Sequence, residues 1–516
     1  MYKVRVLQEI DDRLDAEYYN PAALSTLKKM ETKGTVTTFG NLVDEGYRVV
    51  YHGTDSITGL KDSEVLPFLS PTHIDANGSI NFEDADKLPL YYKDQYPKGL
   101  GKAGEILVEV KGNVSKVGIV PSAFPKNLMI SGSLYKATLA PKRVDSHYVL
   151  AFLKSQHGQI LKNRLTSNTI INYIAKDALY SIPVIEFKEK AQKYIGDKVR
   201  QAEQLRTWAK LTVSALQSKF EKLYKSISHY DSYRRICYPI KSEQLFEVLT
   251  PASYPPHIEK YFEDNPHVTL GEICSKIYIG KTLASIESSD SFQQATSRSC
   301  SGLFLKKPMN MVKREENVVP LAKKDILVTN AAHDKNYIGK DVSFNHSDEL
   351  ILPSAKVLVI RLKECGIPSS YVHAYLMTET GYTQWQAIVR GISAGIHPSD
   401  VARIRIPVPE NRFLLENMAT RADNLYIQSG LAQEVSRLLT IAAKNLVEAL
   451  IEGQLTERQL IEAQQALEDG DNSLDQAILS KLSAEGYAIE GATPLFSDVD
   501  ELYSLLEEAA QAEAEE

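Results

Sequence analysis

Three stretches concentrate side chains able to exchange hydrogen bonds with a ligand: KGNVSK (111–116), NAAHDKN (330–336) and RGISAGIH (390–397). Each mixes glycine or alanine with several donors, so a loop built from it brings its backbone near a surface while Lys, Arg, Asn, Ser or His reaches outward. That inventory suits base edges and phosphate oxygens. Bond-making chemistry is not spelled in the chain: there is no G-x-S-x-G, no H-E-x-x-H and no compact set of histidines and carboxylates. IGKT (279–282) looks like the end of a phosphate loop, but Ser275 stands where the loop needs its upstream glycine. SYPPH (253–257) shares only its prolines with the DPPY or NPPY tetrapeptide of an amino-methyltransferase. EDGDNS (468–473) invites a calcium-loop reading, yet Leu474 occupies the glycine position and Ser480 the glutamate position, which leaves an acidic turn. Cys237, Cys274, Cys300 and Cys365 have no CxxC spacing and read as reduced thiols. No catalytic site, metal or cofactor is expected in this chain.

Charge is divided unevenly along the sequence. Residues 452–516 hold 17 Asp or Glu against Arg458 and Lys481, a net of -15, which leaves +8 for residues 1–451 out of the total of -7. A basic body with an acidic C-terminal end is compatible with phosphate contact. With 516 residues, 43% of them hydrophobic, there is room for at least two cores. No apolar run approaches the roughly 18 residues of a membrane span. The start, MYKVRVLQEIDDRLD, is too polar for a signal peptide, so the expected location is cytoplasmic, with no membrane partner.

The elements that must carry these loops occur twice. YVLAFLKSQHGQ (148–159) is echoed by YVHAYLMTETGY (371–382), SIPVIEF (181–187) by RIPVPEN (405–411), and GEILV (104–108) by KDILV (324–328). Around them lie short β-branched or aromatic runs separated by Gly, Pro, Asn and Asp, which predict strands at 36–43, 64–74, 104–110, 116–121 and 133–140, with GLFLKK (302–307) a strand in the second half. Helices are predicted at 147–164 and 369–389. One longer proline-free helix follows each globule, at 186–225 and 410–453. Their heptad seams read Ile195, Ala202, Ala209, Leu216, Leu223 and Met418, Leu425, Ala432, Leu439, Leu446, each residue of the second being its counterpart plus 223. Matched seams predict helices packed on each other, antiparallel if the globules sit at opposite ends. About 37 residues give a rod of roughly 55 Å, able to space two heads over about a turn and a half of duplex.

In its order of motifs the chain resembles the specificity subunit of type I restriction-modification systems. The resemblance rests on RLDAEYY (13–19), GEILVEVKGNVSKVGIVP (104–121), KDILV (324–328) and the paired IPV exits at Ile182 and Ile406. The second half departs from the first in having NAAHDKNYIGK (330–340) and in lacking RLDAEYY. The resemblance implies an α+β protein with two duplicated mixed α/β target recognition domains, at 1–185 and 229–408. It also implies long spacer helices at 186–228 and 409–453 packing as an antiparallel coiled coil. The small acidic helical C-terminal extension at 454–516 is read from the residues themselves and is not part of that family's minimal two-domain plan. The implied function is DNA-binding recognition of a bipartite double-stranded target within a restriction system for antiviral defence. The implied partners are methyltransferase subunits, two copies being expected, and restriction/translocase subunits. Another phage-defence modification complex, or a coiled-coil scaffold that binds no DNA, are the alternative readings.

Strand-backed donors nominate the DNA-contacting residues on this reading. In the first domain they are Arg48, Tyr51, His52, Ser70, His73, Lys111, Asn113, Lys116, Ser133, Tyr135, Arg164, Ser167 and Asn168. In the second they are Lys281, Thr282, Asn330, His333, Asp334, Lys335, Asn336, Ser354, Lys356, Arg390, Ser393 and His397.

Overall fold

The computed structural model describes residues 17–515 except 83–84, 167–171, 234–236, 241, 243–244, 246–248, 287–290, 308, 314, 316, 365, 392–393 and 410–411, and except the side chains of 216–217, 219–223, 233, 412–422 and 514–515. Ser167, Asn168 and Ser393, the side chains of Leu216, Leu223 and Met418, and the start of RLDAEYY therefore lie outside the described residues. The chain forms two compact units, Met1–Thr207 with Glu434–Glu516, and Trp208–Gln433.

In the first unit the run ILVE makes β5 (Ile106–Glu109), buried at all four positions. Around it lie β1 (Thr35–Thr38), β2 (Val43–Tyr47), β3 (Val65–Leu69), β4 (Asp86–Pro89), β6 (Lys111–Gly112), β7 (Val117–Ile119), β8 (Met129–Ile130), β9 (Leu134–Leu139), β10 (Asn172–Tyr173) and β11 (Pro183–Glu186). One sheet runs β2-β9-β5-β7, a second runs β4-β3-β8, and β1–β11 and β6–β10 form separate pairs. The second unit has β12 (His267–Thr269), β13 (Cys274–Ile279), β14 (Ser291–Ala295), β15 (Asn310–Lys313), β16 (Ile326–Thr329), β17 (Val342–Phe344), β18 (Ile351–Pro353), β19 (Val357–Leu362) and β20 (Arg405–Pro407). Its sheets run β13-β19-β16-β17, β15-β14-β18 and β12-β20. Apart from the β6–β10 pair, whose place is taken by an isolated bridge from Ala331 to Gly395, this is the plan of the first unit, including the parallel pairs β3–β8 and β14–β18.

The echoed segments make equivalent contacts. Tyr148 donates its hydroxyl to the Ile185 carbonyl at 2.6 Å, and Tyr371 donates to the Pro407 carbonyl at 2.7 Å. Each helix of the echo is broken where a hydroxyl caps a new turn: Ser155 accepts from the Gly158 N–H and Thr378 from the Gly381 N–H. The expected continuous helices are therefore pairs, Ser146–Lys154 with Gln156–Asn163, and Ser369–Leu376 with Glu379–Ala387. A Cβ at Gly158 would lie 2.0 Å from the Phe152 carbonyl oxygen, and one at Gly381 would lie 2.4 Å from that of Tyr375, so each break needs its glycine.

Three strand expectations are corrected. The strand expected over 64–74 ends at Leu69, because Pro71 opens a 3-10 turn through His73. The stretch 36–43 is interrupted by a helical turn, Phe39–Leu42, held because the Phe39 N–H donates to the Ile182 carbonyl. GLFLKK makes only an isolated bridge, Phe304 to Phe344, while the strands of that region are the polar runs SFQQA and NMVK. Sheet partners outweighed local propensity there.

The long helices are Glu189–Leu223 and Arg412–Glu452. Of the described seam residues, Ile195, Ala202, Ala209, Ala432, Leu439 and Leu446 are completely buried, and Leu425 is half-buried. In the second unit, Val213 and Tyr426 belong to one apolar core with β16 and β19.

The acidic C-terminal residues fold as helices Glu457–Glu468, Ser473–Leu479 and Val499–Glu515 with a small hairpin, Leu482–Ser483 with Gly486–Tyr487. They are built into the first unit. Asp475, 1% exposed, receives Lys198 Nζ at 2.8 Å and the hydroxyls of Tyr194 and Tyr503. Burial alone would raise this carboxyl, but Lys198 and the two hydroxyls bring it below the ordinary aspartate range. Lys190 pairs with Glu468, and Asn445 donates to the Ser483 carbonyl. No described helix is long and apolar enough to cross a membrane.

Asp475→Ala should destabilise the first unit by about 3–5 kcal/mol, because it strands the buried Lys198 ammonium. Double substitution to Lys198→Met and Asp475→Leu should recover much of that loss in urea titrations. In the second unit His373 is buried, and its Nε2 lies 2.7 Å from the Val342 carbonyl oxygen, which assigns the proton to that nitrogen. Burial pushes its pKa down to about 4. The native imidazole therefore stays neutral while the unfolded chain protonates below about pH 6.5, so its contribution is whole above that pH and is lost as pH falls toward 4. Urea midpoints should drop over that window, by up to about 3 kcal/mol in stability, and His373→Gln should flatten the drop.

Candidate nucleic-acid interface

Strand β5 ends at Glu109, and the polar loop 111–116 follows. Glu109 is buried, and its carboxylate accepts the backbone N–H groups of Asn113 at 3.1 Å, Ser115 at 2.9 Å and Lys116 at 3.1 Å. Lys162, wholly buried in the helix Gln156–Asn163, donates to the Val114 carbonyl from beneath. Burial pushes the Lys162 pKa down to about 8, against the pull of Glu109. The loop curls tightly over these two groups. Gly112 has φ +120° and a Cβ there would lie 2.8 Å from Glu109 Oε1, and Val114 adopts φ 56°. Lys111 and Asn113 are left exposed and Lys116 half-buried on a loop with little freedom.

The two-residue ladder β6–β10 sets Lys111 opposite Tyr173 and Gly112 opposite Asn172. Val110 donates to the Ser133 carbonyl at 2.9 Å, which brings the half-buried Ser133 alongside. Arg48 Nε donates to the Gly132 carbonyl at 2.6 Å, Nη1 donates to the Tyr173 hydroxyl at 3.3 Å, and the guanidinium stands 5.5 Å from the Tyr173 ring centroid. Residues at 48, 111, 113 and 133 thus meet at one edge. Asn172 and Tyr173, not anticipated as site residues, belong to the same edge.

Other nominated residues of this unit are engaged elsewhere. Tyr51 donates to the Ile130 carbonyl at 2.8 Å within an aromatic group that includes Phe68 and Tyr96. His52 is exposed on the next residue. Ser70 and His73 close a 3-10 turn, with the Ser70 N–H donating to His73 Nδ1 at 3.0 Å. Tyr135, nominated as an outward contact, is 4% exposed and shares a hydrogen bond of 3.0 Å with the Tyr180 hydroxyl; it braces the sheet. Arg164 lies over the Tyr18 ring, 4.6 Å from its centroid.

In the second unit β16 ends at Thr329 and the corresponding loop begins with Asn330. Its N–H donates to the Lys356 carbonyl, and its own carbonyl accepts from Ile396 at 2.9 Å. Ala331 bridges Gly395, and Arg390 and Gly395 exchange both backbone hydrogen bonds. The loops 330–336 and 390–397 are therefore joined. The first is tied down by Asp334, which accepts the Asn336 N–H, and by Tyr382 and Gln386, which donate to the carbonyls of Asn336 and Lys335. His333, Asp334, Lys335, Asn336, Lys356 and His397 are exposed. Lys281 and Thr282 are exposed too; the Lys281 N–H donates to the Pro353 carbonyl, and its ammonium pairs with Glu315. Three nominated residues face inward. Asn330 is 9% exposed and Ser354 4%, while Arg390 is half-buried and forms an ion pair with the buried Asp400.

Glu109, Lys162, Tyr382 and Gln386 position the loops, and none was evident as a site residue from the sequence. A lone glutamate at a strand end and a lysine in an amphipathic helix read as solvated charges. Only the fold closes them over the loop backbone.

No family model matches the chain, and no curated protein matches it. Similar solved structures include the S subunit of a type I restriction-modification system from M. genitalium, at 14% identity over 83% of this chain and 95% of that one, with a TM-score of 0.35. The HsdS subunit from Thermoanaerobacter tengcongensis is similar at 14% identity over 82% of this chain and 97% of that one, with a TM-score of 0.27. A third, from work on complex assembly and conformational transition of the type I R-M system, is similar at 13% identity over 82% and 98%, with a TM-score of 0.28.

Glu109→Gln should loosen the first loop without unfolding the unit. Amide exchange at Asn113, Ser115 and Lys116 should accelerate by the loss of about 1–3 kcal/mol of protection, while amides of β5 and β9 keep theirs. Unchanged exchange at those three amides would show that the carboxylate does not order the loop.

Proposed function

We propose that this chain is the DNA sequence-recognition subunit of a type I restriction-modification complex, reading a bipartite duplex target and directing partner adenine methyltransferase and restriction subunits. The observation that carries this reading is the repeated edge. In each unit the central strand, β5 or β16, runs into a polar loop that is held by buried or backbone partners and joined by a short antiparallel pairing to a second loop near 172 or 395. Rigid donors on strand-backed loops meet the geometric demand of base reading, because a mobile donor loses its discrimination to conformational entropy.

Two such edges in one chain favour two short recognised blocks with an unread spacer. Matching orders in three sheets of each unit, and the equivalent contacts made by Tyr148 and Tyr371 and by Ser155 and Thr378, support duplication of one module. The long helices serve as the spacer between heads. An antiparallel coiled coil is supported by the way the units divide them: residues 189–207 and 434–452 fall in the first unit, and 208–223 and 412–433 in the second. Methyl transfer belongs to partners, since the chain has no DPPY or NPPY tetrapeptide. The acidic C-terminal region, repelled by phosphate, faces away from the duplex.

Selection of bound duplexes from a random library should return two blocks at fixed spacing. Asn113→Ala with Ser133→Ala should weaken only binding that involves one block, and His333→Ala with Asn336→Ala only the other, each by on the order of tenfold to a hundredfold. A single continuous motif, or both pairs acting on the same block, would overturn the proposal.

A further inference from the structure

Arg48 differs from the other cations at the first edge in how completely its orientation is set. Its Nε is held by the Gly132 carbonyl at 2.6 Å and its Nη1 by the Tyr173 hydroxyl at 3.3 Å, with the Tyr173 ring beside the guanidinium plane. Among the described residues no acceptor takes Nη2. The Gly132 carbonyl reaches Arg48 because residue 132 has no side chain: a Cβ there would lie 2.6 Å from the Val49 carbonyl oxygen. Tyr173 is in turn fixed by the ladder to Lys111, whose loop Glu109 and Lys162 hold. A charged fork fixed on two sides, half-buried and one amine short of saturation, is a costly way to hold a strand. It is an economical way to present donors at a defined angle.

Lys111 and Lys116 contrast with it. Neither ammonium has a described hydrogen-bond partner, and each sits on a flexible stem at the loop surface. They supply positive charge without direction, which suits phosphate.

Resting on the DNA-recognition reading above, we propose a division of labour at this edge. Arg48 is the specificity-determining residue for one guanine of the block read by the first unit, using its free Nη2 and the remaining Nη1 hydrogen toward the O6 and N7 acceptors. Tyr173 is the positioning residue that aims it, and Lys111 holds the backbone. Guanine is the base whose major-groove edge offers two acceptors to a guanidinium; adenine presents a donor beside its acceptor.

The test uses the full-length chain and a random-sequence duplex library, with bound duplexes sequenced and the best one titrated against salt. Arg48→Ala and Arg48→Lys should both make a single G·C position of one block degenerate, losing on the order of tenfold or more in discrimination there, while every other position stays as in the unaltered protein. Arg48→Lys keeps the charge and serves as the check should Arg48→Ala fold poorly. Tyr173→Phe, which removes only the hydroxyl, should weaken discrimination at that same position and no other. Lys111→Ala should lower affinity evenly across sequences and reduce the salt slope by about one. If Arg48→Lys and Tyr173→Phe lower thermal stability but leave both blocks intact, Arg48 is a strand staple and the inference fails while the recognition reading stands. If Arg48→Lys weakens all sequences evenly, Arg48 is a phosphate contact and the inference fails in the same way. If the unaltered chain selects no sequence at all, the recognition reading falls and this assignment falls with it.

Discussion

Each unit is organised around an acid–base pair between its two central strands. Glu105, just ahead of β5, receives Lys136 of β9 at 2.8 Å, with both side chains almost fully buried. In the second unit Asp325, just ahead of β16, receives Arg361 of β19 through Nε at 2.8 Å and Nη2 at 2.7 Å. The same carboxylates accept a backbone N–H three residues earlier, from Lys102 at 2.8 Å and Ala322 at 2.7 Å. Unpaired charge at such depth would cost several kcal/mol, so a slip of one residue between these strands is penalised twice, by the stranded charge and by the inverted apolar faces. Register at the lower end of the strand decides where its upper end stops. The polar loops that follow β5 and β16 are therefore delivered at a defined place by ionic groups at the opposite ends of those strands. This gives the acidic residue of the GEILV and KDILV echo a physical meaning.

The loop beyond β5 is stiffened by the same means on a smaller scale. Glu109 gathers three backbone N–H groups and Lys162 takes a carbonyl, so backbone groups that water would otherwise solvate are satisfied internally. The second unit reaches a similar end with neutral donors, Tyr382 and Gln386, and with backbone pairing between two loops. Different side chains thus meet one requirement, a loop that holds its shape without a regular element beneath it.

The acidic C-terminal region illustrates how net charge misleads about packing. A segment of net -15 reads as a solvated appendage, yet one of its carboxylates is 1% exposed and anchors the first long helix through Lys198 and Tyr194. Most of its remaining acids stay at the surface, where their mutual repulsion costs little. Apolar residues such as Leu460, Leu479, Leu482, Leu502 and Leu505 make the segment part of a core, and Lys198 neutralises the one carboxylate buried with them.

Periodicity and repetition were legible in the sequence because they are local. The long helices, seen at Glu189–Leu223 and Arg412–Glu452, follow from proline-free stretches with apolar residues at helical spacing, and the central strands follow from β-branched runs between glycines. Polar loops at the ends of those strands could be nominated for the same reason. Tertiary structure decided which nominated side chains face outward. Tyr135 and Ser354 turned inward, Arg48 was joined to Tyr173 across 125 residues, and Asp475 found Lys198 across 277. Composition and spacing describe what a segment can bury. Which distant charge will be buried beside it depends on how sheets, helices and chain ends close around one another, and that closure has no local signature.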